Sequence, residues 1–162
     1  MKLDLKIRQA RAEDAPAIHN AHMRSIREVC IKDHGPEEVK GWGNREMGER
    51  WTAAIARGDV WVVDSGEKIL GLACMSEIKN AIVHIHALYL TPEAIGQGLG
   101  KKLFLIMKSK AIAQGAKKLT LGSTLTAHDF YLSLGFEDDG PMERHEIGGS
   151  MVSGYDMTMI LD

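Results

Sequence analysis

A single mixed α/β domain is the fold class this sequence predicts, and three observations predict it. The hydrophobic period switches repeatedly between two and 3.6 along the chain, so strands and helices alternate. Turn residues mark the switches, several of them among the 17 glycines. No linker, repeat or low-complexity stretch divides the 162 residues, a length that suits one domain spanning 1–162. With 44% hydrophobic and 26% charged residues, the composition is that of a globular chain able to bury a core.

Each element has its own local reason. Leu3, Leu5 and Ile7 alternate with Asp4, Lys6 and Arg8, the pattern of a half-buried strand. From Glu13 the period becomes helical: Ile18, Ala21, His22, Ser25 and Val29 share one face, and Glu13 and Asp14 suit the positive start. Gly35-Pro36 breaks that helix, and Pro36 opens a short second one through Val39 to Trp42. Arg45 to Ala56 reads as a further helical piece. Val60 to Val63 and Ile69 to Met75 flank Ser65-Gly66-Glu67 as a hairpin. Ala81 to Leu90 is apolar on both faces, as a central strand is, and is interrupted only by His84 and His86. A glycine-rich turn then enters a helix whose inner stripe is Leu99, Leu103, Ile106 and Met107, with Gly115 as its stop. Lys118 to Leu121 is a strand. Ala127, Phe130, Tyr131 and Leu134 form the inner face of a short helix closed by Gly135. Glu143 to Ile147 and Tyr155 to Leu161 read as a last hairpin around Gly148-Gly149 and Gly154.

Charge and cysteine usage narrow the function classes. Lys plus Arg number 20 against 22 Asp plus Glu, a net charge of -2, so nothing favours a nucleic-acid partner, whose affinity rests on neutralised phosphates. Cys30 and Cys74 are too few for a disulfide framework and fit a reducing, cytoplasmic compartment. The opening residues show no apolar core of a signal peptide, and no run reaches the length of a membrane span, so no membrane partner is expected.

The segment Gly96-Gln97-Gly98-Leu99-Gly100-Lys101 carries the strongest chemical signal. Glycines let backbone N–H groups approach a ligand, and a helix start offers unpaired amides to an anion, most often a phosphate. Lys101 and Lys102 sit in the helix's first turn, the end that disfavours cations, which makes sense where a polyanion docks. The alternative is a tight strand-to-helix turn with no ligand. A Walker loop needs serine or threonine after its lysine, and Leu103 follows Lys101-Lys102 instead. A dinucleotide fingerprint needs an acid about twenty residues on, where Leu119 to Gly122 is apolar.

Three segments in order resemble the GNAT superfamily of N-acetyltransferases and together span nearly the whole chain. Ile7-Arg8-Gln9-Ala10-Arg11-Ala12-Glu13-Asp14-Ala15 is similar to its first strand and helix start. Leu90-Thr91-Pro92 followed by Gly96-Gln97-Gly98-Leu99-Gly100 resembles its acetyl-CoA loop, and Phe130-Tyr131-Leu132-Ser133-Leu134-Gly135-Phe136 its late helix motif. The resemblance implies a mixed, mostly antiparallel, twisted sheet with a parallel splay, flanked by helices. It implies acetyl-CoA as cosubstrate and coenzyme A as product, bound along Leu88, Tyr89, Leu90 and Ile95 to Lys101. Amides near Leu88 to Leu90 would stabilise the oxyanion. Two positions depart from the family pattern: Ile95 stands where Arg or Gln is usual, and Thr124 where Asn is frequent.

The same resemblance makes Tyr131 the general acid for the leaving thiolate, a task a phenol suits; filling the helix's inner face is its other reading. His84 and His86, two apart on a strand, point to one face. The pair resembles the His-x-His of serotonin N-acetyltransferases, associated with deprotonating the amine through water. Histidine, with an ordinary pKa of about 6.5, suits that step. A structural hydrogen-bonded pair and a metal pair are the alternatives. His19, His22, His34, His128 and His145 supply no spacing for a third ligand, so no metal is expected. His22 and Ser25 on the first helix and Trp42 on the second lie where the family forms its acceptor site. The expected reaction is acetyl transfer to a primary amine, by direct attack, on a small molecule. A protein or peptide N-terminal acetyltransferase and a non-catalytic acyl-CoA sensor are the rivals, and a homodimer is common in the resembling family.

Overall fold

The computed structural model describes residues 4–162, so Leu3 of the expected first strand lies outside the described residues. The alternating N-terminal segment forms β1 (Lys6–Gln9). Arg8 in it bridges Asp14 at 2.8 Å and Asp64 at 2.9 Å. Asp14 also accepts the Arg11 N–H at 2.7 Å. Asp14 stands at the N-cap of α1 (Ala15–Ser25), the helix start where it was expected, and its buried carboxylate ties strand to loop without a side-chain cap.

The expected single helical face is interrupted by a π-helical turn, Ile26–Cys30, before α2 (Ile31–Trp42). The wider turn adds a residue to the helix, which turns Ser25, Val29 and Cys30 toward a common wall. Gly35, at φ 77 and ψ 166, breaks α2, and Pro36 restarts it as the sequence suggests. The Arg45 to Ala56 helix is a correction: only α3 (Thr52–Arg57) is helical, after turns that include Gly48 at φ 59.

The hairpin of β2 (Val60–Asp64) and β3 (Ile69–Met75) forms as expected. It leads to β4 (Ile82–Leu90), α4 (Leu99–Ala113), β5 (Lys118–Thr124) and α5 (His128–Leu134). Ala81, expected in the strand, turns the chain at φ 61 instead. The strands β6 (Glu137–Asp138), β7 (Glu143–Ile147) and β8 (Ser150–Ile160) complete the sheet. Gly154 was expected at the hairpin turn but lies inside β8, which starts at Ser150. A Cβ there would sit 2.6 Å from the Ser123 carbonyl oxygen, so the glycine permits close strand approach.

The sheet order is β1-β2-β3-β4-β5-β8-β6, with β7 also on β8. Every pairing is antiparallel except β4 with β5, which ends at Ile85↔Leu121 and leaves the two strands to splay. One face packs Leu103, Phe104 and Met107 of α4 with Leu119, Phe136 and Met157. The other packs Ile18 and Ala21 of α1 with Val62 and Leu72. Phe104, absent from the expected stripe, is buried edge-on to Phe136 at 5.7 Å, while Ile106 is only partly covered. Truncating Phe104 to Ala costs about 3–5 kcal/mol.

A bulge sets the faces of β4. Cys74 pairs with Ala87 and Met75 with Ile85, so His86 is an extra residue in β4. Before it, Val83 and Ile85 face the α4 core; after it, Leu88 and Leu90 do, while Ala87 and Tyr89 turn to the α1 side.

Candidate active site

The splay between β4 and β5 opens a cavity of about 360 Å³. Its walls include Leu88, Tyr89, Leu90, Ile95, Gly96, Gly98, Leu99, Gly100, Lys101, Thr124 and Tyr131. Of the coenzyme positions expected from sequence, only Gln97 is outside, its side chain donating to the Glu93 carbonyl at 3.2 Å. Gly96 and Gly98 have φ of 84 and 75, with no atom within 4 Å of where a Cβ would sit. Backbone conformation, not crowding, requires glycine at both. The first-turn N–H groups of α4 have no carbonyl four residues back in the helix, and Lys101 stands exposed beside them. Farther in, the walls are apolar, with Val29, Leu88 and Phe130. Such a channel fits a ligand that is anionic at one end and apolar along the other.

Sequence reasoning missed Val29, Cys30, Thr126, Ala127 and Phe130 in this channel. The π turn that brings in Val29 and Cys30 leaves no local signature. Ser25, expected on the acceptor side, instead lines the channel and donates its hydroxyl to the Leu90 carbonyl at 2.8 Å. Thr124 Oγ1 accepts the Ala127 N–H at 3.0 Å and fixes the entry to α5. Burial pushes the Cys30 thiol up to about 11.

Tyr131, on α5, is 5% exposed and borders both the channel and a narrow cleft with Ile85, His86 and Leu121. Burial raises its phenol well above the ordinary range, so it keeps its proton. The rings of His84 and His86 lie 5.0 Å apart. His84 Nδ1 meets Thr120 Oγ1 at 2.8 Å. Burial lowers His84, against a weaker upward pull from Asp156. Burial also lowers His86, with His84 and Arg57 adding to it. Both rings are therefore mainly neutral at pH 7. Of the two, His86 lines the cleft beside Tyr131, and it also opens onto a second cavity.

That second cavity, of about 540 Å³, is walled by His22, Trp42, Arg45, Arg50, Arg57, Trp51, His86 and Tyr89, among others. His22 is buried between Trp51 and Tyr89, with ring centroids at 5.6 and 4.5 Å. Burial first, then Arg45 and Arg50, hold it well below its ordinary pKa. His22 and Trp42 thus meet here as the sequence suggests. Arg45, Arg50 and Trp51 were missed, because residues 45–56 read as an ordinary mixed-charge helix. Among the described residues, Glu143, His145 and Asp156 are the one cluster of potential metal ligands; all three are exposed, and neither His84 nor His86 belongs to it. No helix of the described residues is long and apolar enough to cross a membrane.

His86 and Tyr131 thus stand in a narrow cleft that shares walls with both an anion-and-apolar channel and a polar cavity. The profile of the acetyltransferase (GNAT) domain family matches residues 30–159. The chain therefore belongs to the GNAT family of acetyltransferases. No curated protein matches it. Among solved structures it is similar to a GCN5-related N-acetyltransferase of Rhodopseudomonas palustris, with 24% identity, a TM-score of 0.82 and 99% of each chain covered. It is also similar to the PaiA N-acetyltransferase of Thermoplasma acidophilum in complex with coenzyme A, at 18% identity and TM-score 0.76, over 98% of this chain and 100% of that one. A third is YncA of Salmonella typhimurium, solved with its cofactor acetyl-CoA, at 22% identity and TM-score 0.70, over 98% and 95%. At these identities the likeness establishes the fold.

Proposed function

We propose that this protein moves the acetyl group of acetyl-CoA to the primary amine of a small molecule by direct attack. The observation that carries this reading is the shared border of the two cavities, where His86 opens to the polar side and Tyr131 to the channel. A cavity of about 540 Å³ walled by Trp42, Trp51 and Tyr89 has the size of a small-molecule site.

The N–H groups of Gly98 to Lys101, with the Lys101 ammonium, hold the diphosphate end of the coenzyme. The edge that β4 turns to the splay beyond Ile85 has no strand partner, so its N–H groups near Leu88 to Leu90 serve the pantetheine arm and carbonyl. Bound acetyl-CoA supplies a thioester, whose C–S bond breaks as the new C–N bond forms. His86, as a neutral imidazole, takes the proton that the amine sheds, directly or through water, and His84 backs it while bonded to Thr120. Tyr131 gives its proton to the departing sulfur and recovers one from solvent. Cys30 lines the channel, but a thiol pushed up to about 11 supplies little thiolate for a covalent relay, which favours direct attack.

The test is release of free coenzyme A thiol from acetyl-CoA across a panel of amines, amino acids, polyamines and peptides. Turnover with small amines supports the reading, and turnover confined to peptide N-termini replaces it with the peptide rival. Tight acetyl-CoA binding with no turnover anywhere makes the protein an acyl-CoA sensor.

A further inference from the structure

We propose that the acceptor is a small amine that also carries an anionic group, a carboxylate in the simplest case, and that Arg45 and Arg50 hold that anion. The inference rests on the second cavity being the acceptor site. Three arginines line that cavity and no Asp or Glu does. Arg57 is already paired, its Nε 2.9 Å from Asp59, a carboxylate it shares with Lys110 at 2.7 Å. Arg45 and Arg50 are not. Arg45 donates from Nε to the Trp42 carbonyl at 2.8 Å, which fixes the plane of its guanidinium. Arg50 lies over the Trp51 ring at 5.9 Å and, among the described residues, hydrogen-bonds only His22 Nδ1 and the Glu46 carbonyl, each at 3.5 Å, the long limit of such a bond. Neither donates to a carboxylate among the described residues.

Two like charges beside one cavity are unfavourable, and half-burial of one makes them more so. Burial, then Arg50, pull Arg45 below its usual range. A bound anion reverses that sign, because guanidinium forks match a carboxylate or phosphate with paired hydrogen bonds. A second donor is also unmatched: Trp51, 3% exposed and part of the same wall, has an indole N–H with no acceptor among the described residues. A polyamine would bring more positive charge to this wall. The amine of an anionic acceptor gains as well, since nearby guanidiniums favour its uncharged, attacking form.

The experiment is calorimetry on the coenzyme A-loaded protein with matched probes. Glycine, leucine and phenylalanine are each compared with their carboxamides, aminoethyl phosphate with ethanolamine, and spermidine stands alone. In at least one pair the anionic member should bind about tenfold tighter or better. The Arg45→Gln/Arg50→Gln double variant should erase that margin while coenzyme A still binds as before. Should the double variant not fold, Arg50→Gln alone, at an exposed side chain, should remove part of it. Preference only for aminoethyl phosphate keeps the anion and makes it a phosphate. Equal or tighter binding of the neutral members in every pair, of spermidine above all, overturns the inference, as does a margin that survives the variants. Preferred binding of the anion without acetyl transfer leaves this assignment standing and removes the transfer reading instead.

Discussion

The two cavities meet at Tyr89 but are built by different chemistry. The channel meets its ligand with backbone amides, two left-handed glycines and apolar walls, and needs only Lys101 as a charged side chain. The second cavity meets its ligand with side chains: two guanidiniums without a carboxylate partner, a buried imidazole and two indoles. A backbone site recognises a shape that every substrate shares. A side-chain site can change its ligand one residue at a time. On the proposed reading, the common half of the reaction is served by the main chain and specificity by replaceable groups.

Four variants probe this division, beginning with the largest effect. Tyr131→Phe keeps the shape of the channel and should lower kcat by about 10²–10⁴-fold at unchanged coenzyme A affinity. A kcat within a few-fold of the parent would leave Tyr131 a packing residue and move the acid elsewhere. On the other side of the border, His86→Ala should lower kcat/KM by about 10²-fold. Burial holds His86 below 6.5, so the active, neutral form is lost as pH falls through that lower value. The parent's rate should drop on the acid side of pH 6.5, and the variant's profile should lose that limb. If the limb persists, His86 is not the base. Gly98→Val forces a branched side chain into the left-handed region, a strain of about 1–3 kcal/mol. Calorimetry should show coenzyme A weakened about tenfold, with the KM of the acceptor unmoved; a shift in both would mean that the two halves are not separable.

Asp14→Asn, far from both, should leave kcat alone and cost about 1–3 kcal/mol of stability, read by denaturant melts. Arg8 hydrogen bonding chiefly holds Asp14 low, and the Gly66 N–H and Arg8 do the same for Asp64. Their stabilisation is complete above the ordinary carboxylate range near 4 and is lost as pH falls through the lower folded values. Acid unfolding of the parent should steepen below about pH 4, and Asp14→Asn should flatten it.

What the sequence reveals follows the same division. Gly96 to Lys101 is contiguous, and its strand, turn and helix signals are local, so the channel's mouth is legible from the chain alone. The second cavity draws His22 from α1, Trp42 from α2, Trp51 from the turns before α3 and His86 from β4. No spacing connects them, and only tertiary packing brings them together. The elements expected from alternation mostly form, because burial enforces their period. The π turn and the register of β4 were missed for one reason: each concerns a single residue more or less against a neighbouring strand or turn, which periodicity cannot count. The start of β8 at Ser150 was hidden by Gly154, which reads as a turn but serves close strand approach.

The surplus residue in β4 has a consequence for how this protein can vary. A strand carries a parity, odd residues to one side and even to the other, and His86 reverses that parity halfway along. Deleting His86 would restore an unbroken alternation, with Ile85 still on the α4 side, Ala87 on the α1 side and Leu88 on the α4 side, because the β3 partners of all three stay the same. Leu88 and Leu90 would stay on the channel's floor and Tyr89 between the cavities, and what would be lost is the histidine itself and the local bend that the bulge gives the strand. His86 is thus a residue that the ladder does not count: it can serve the cavities without taking a position from the strand's own pairing.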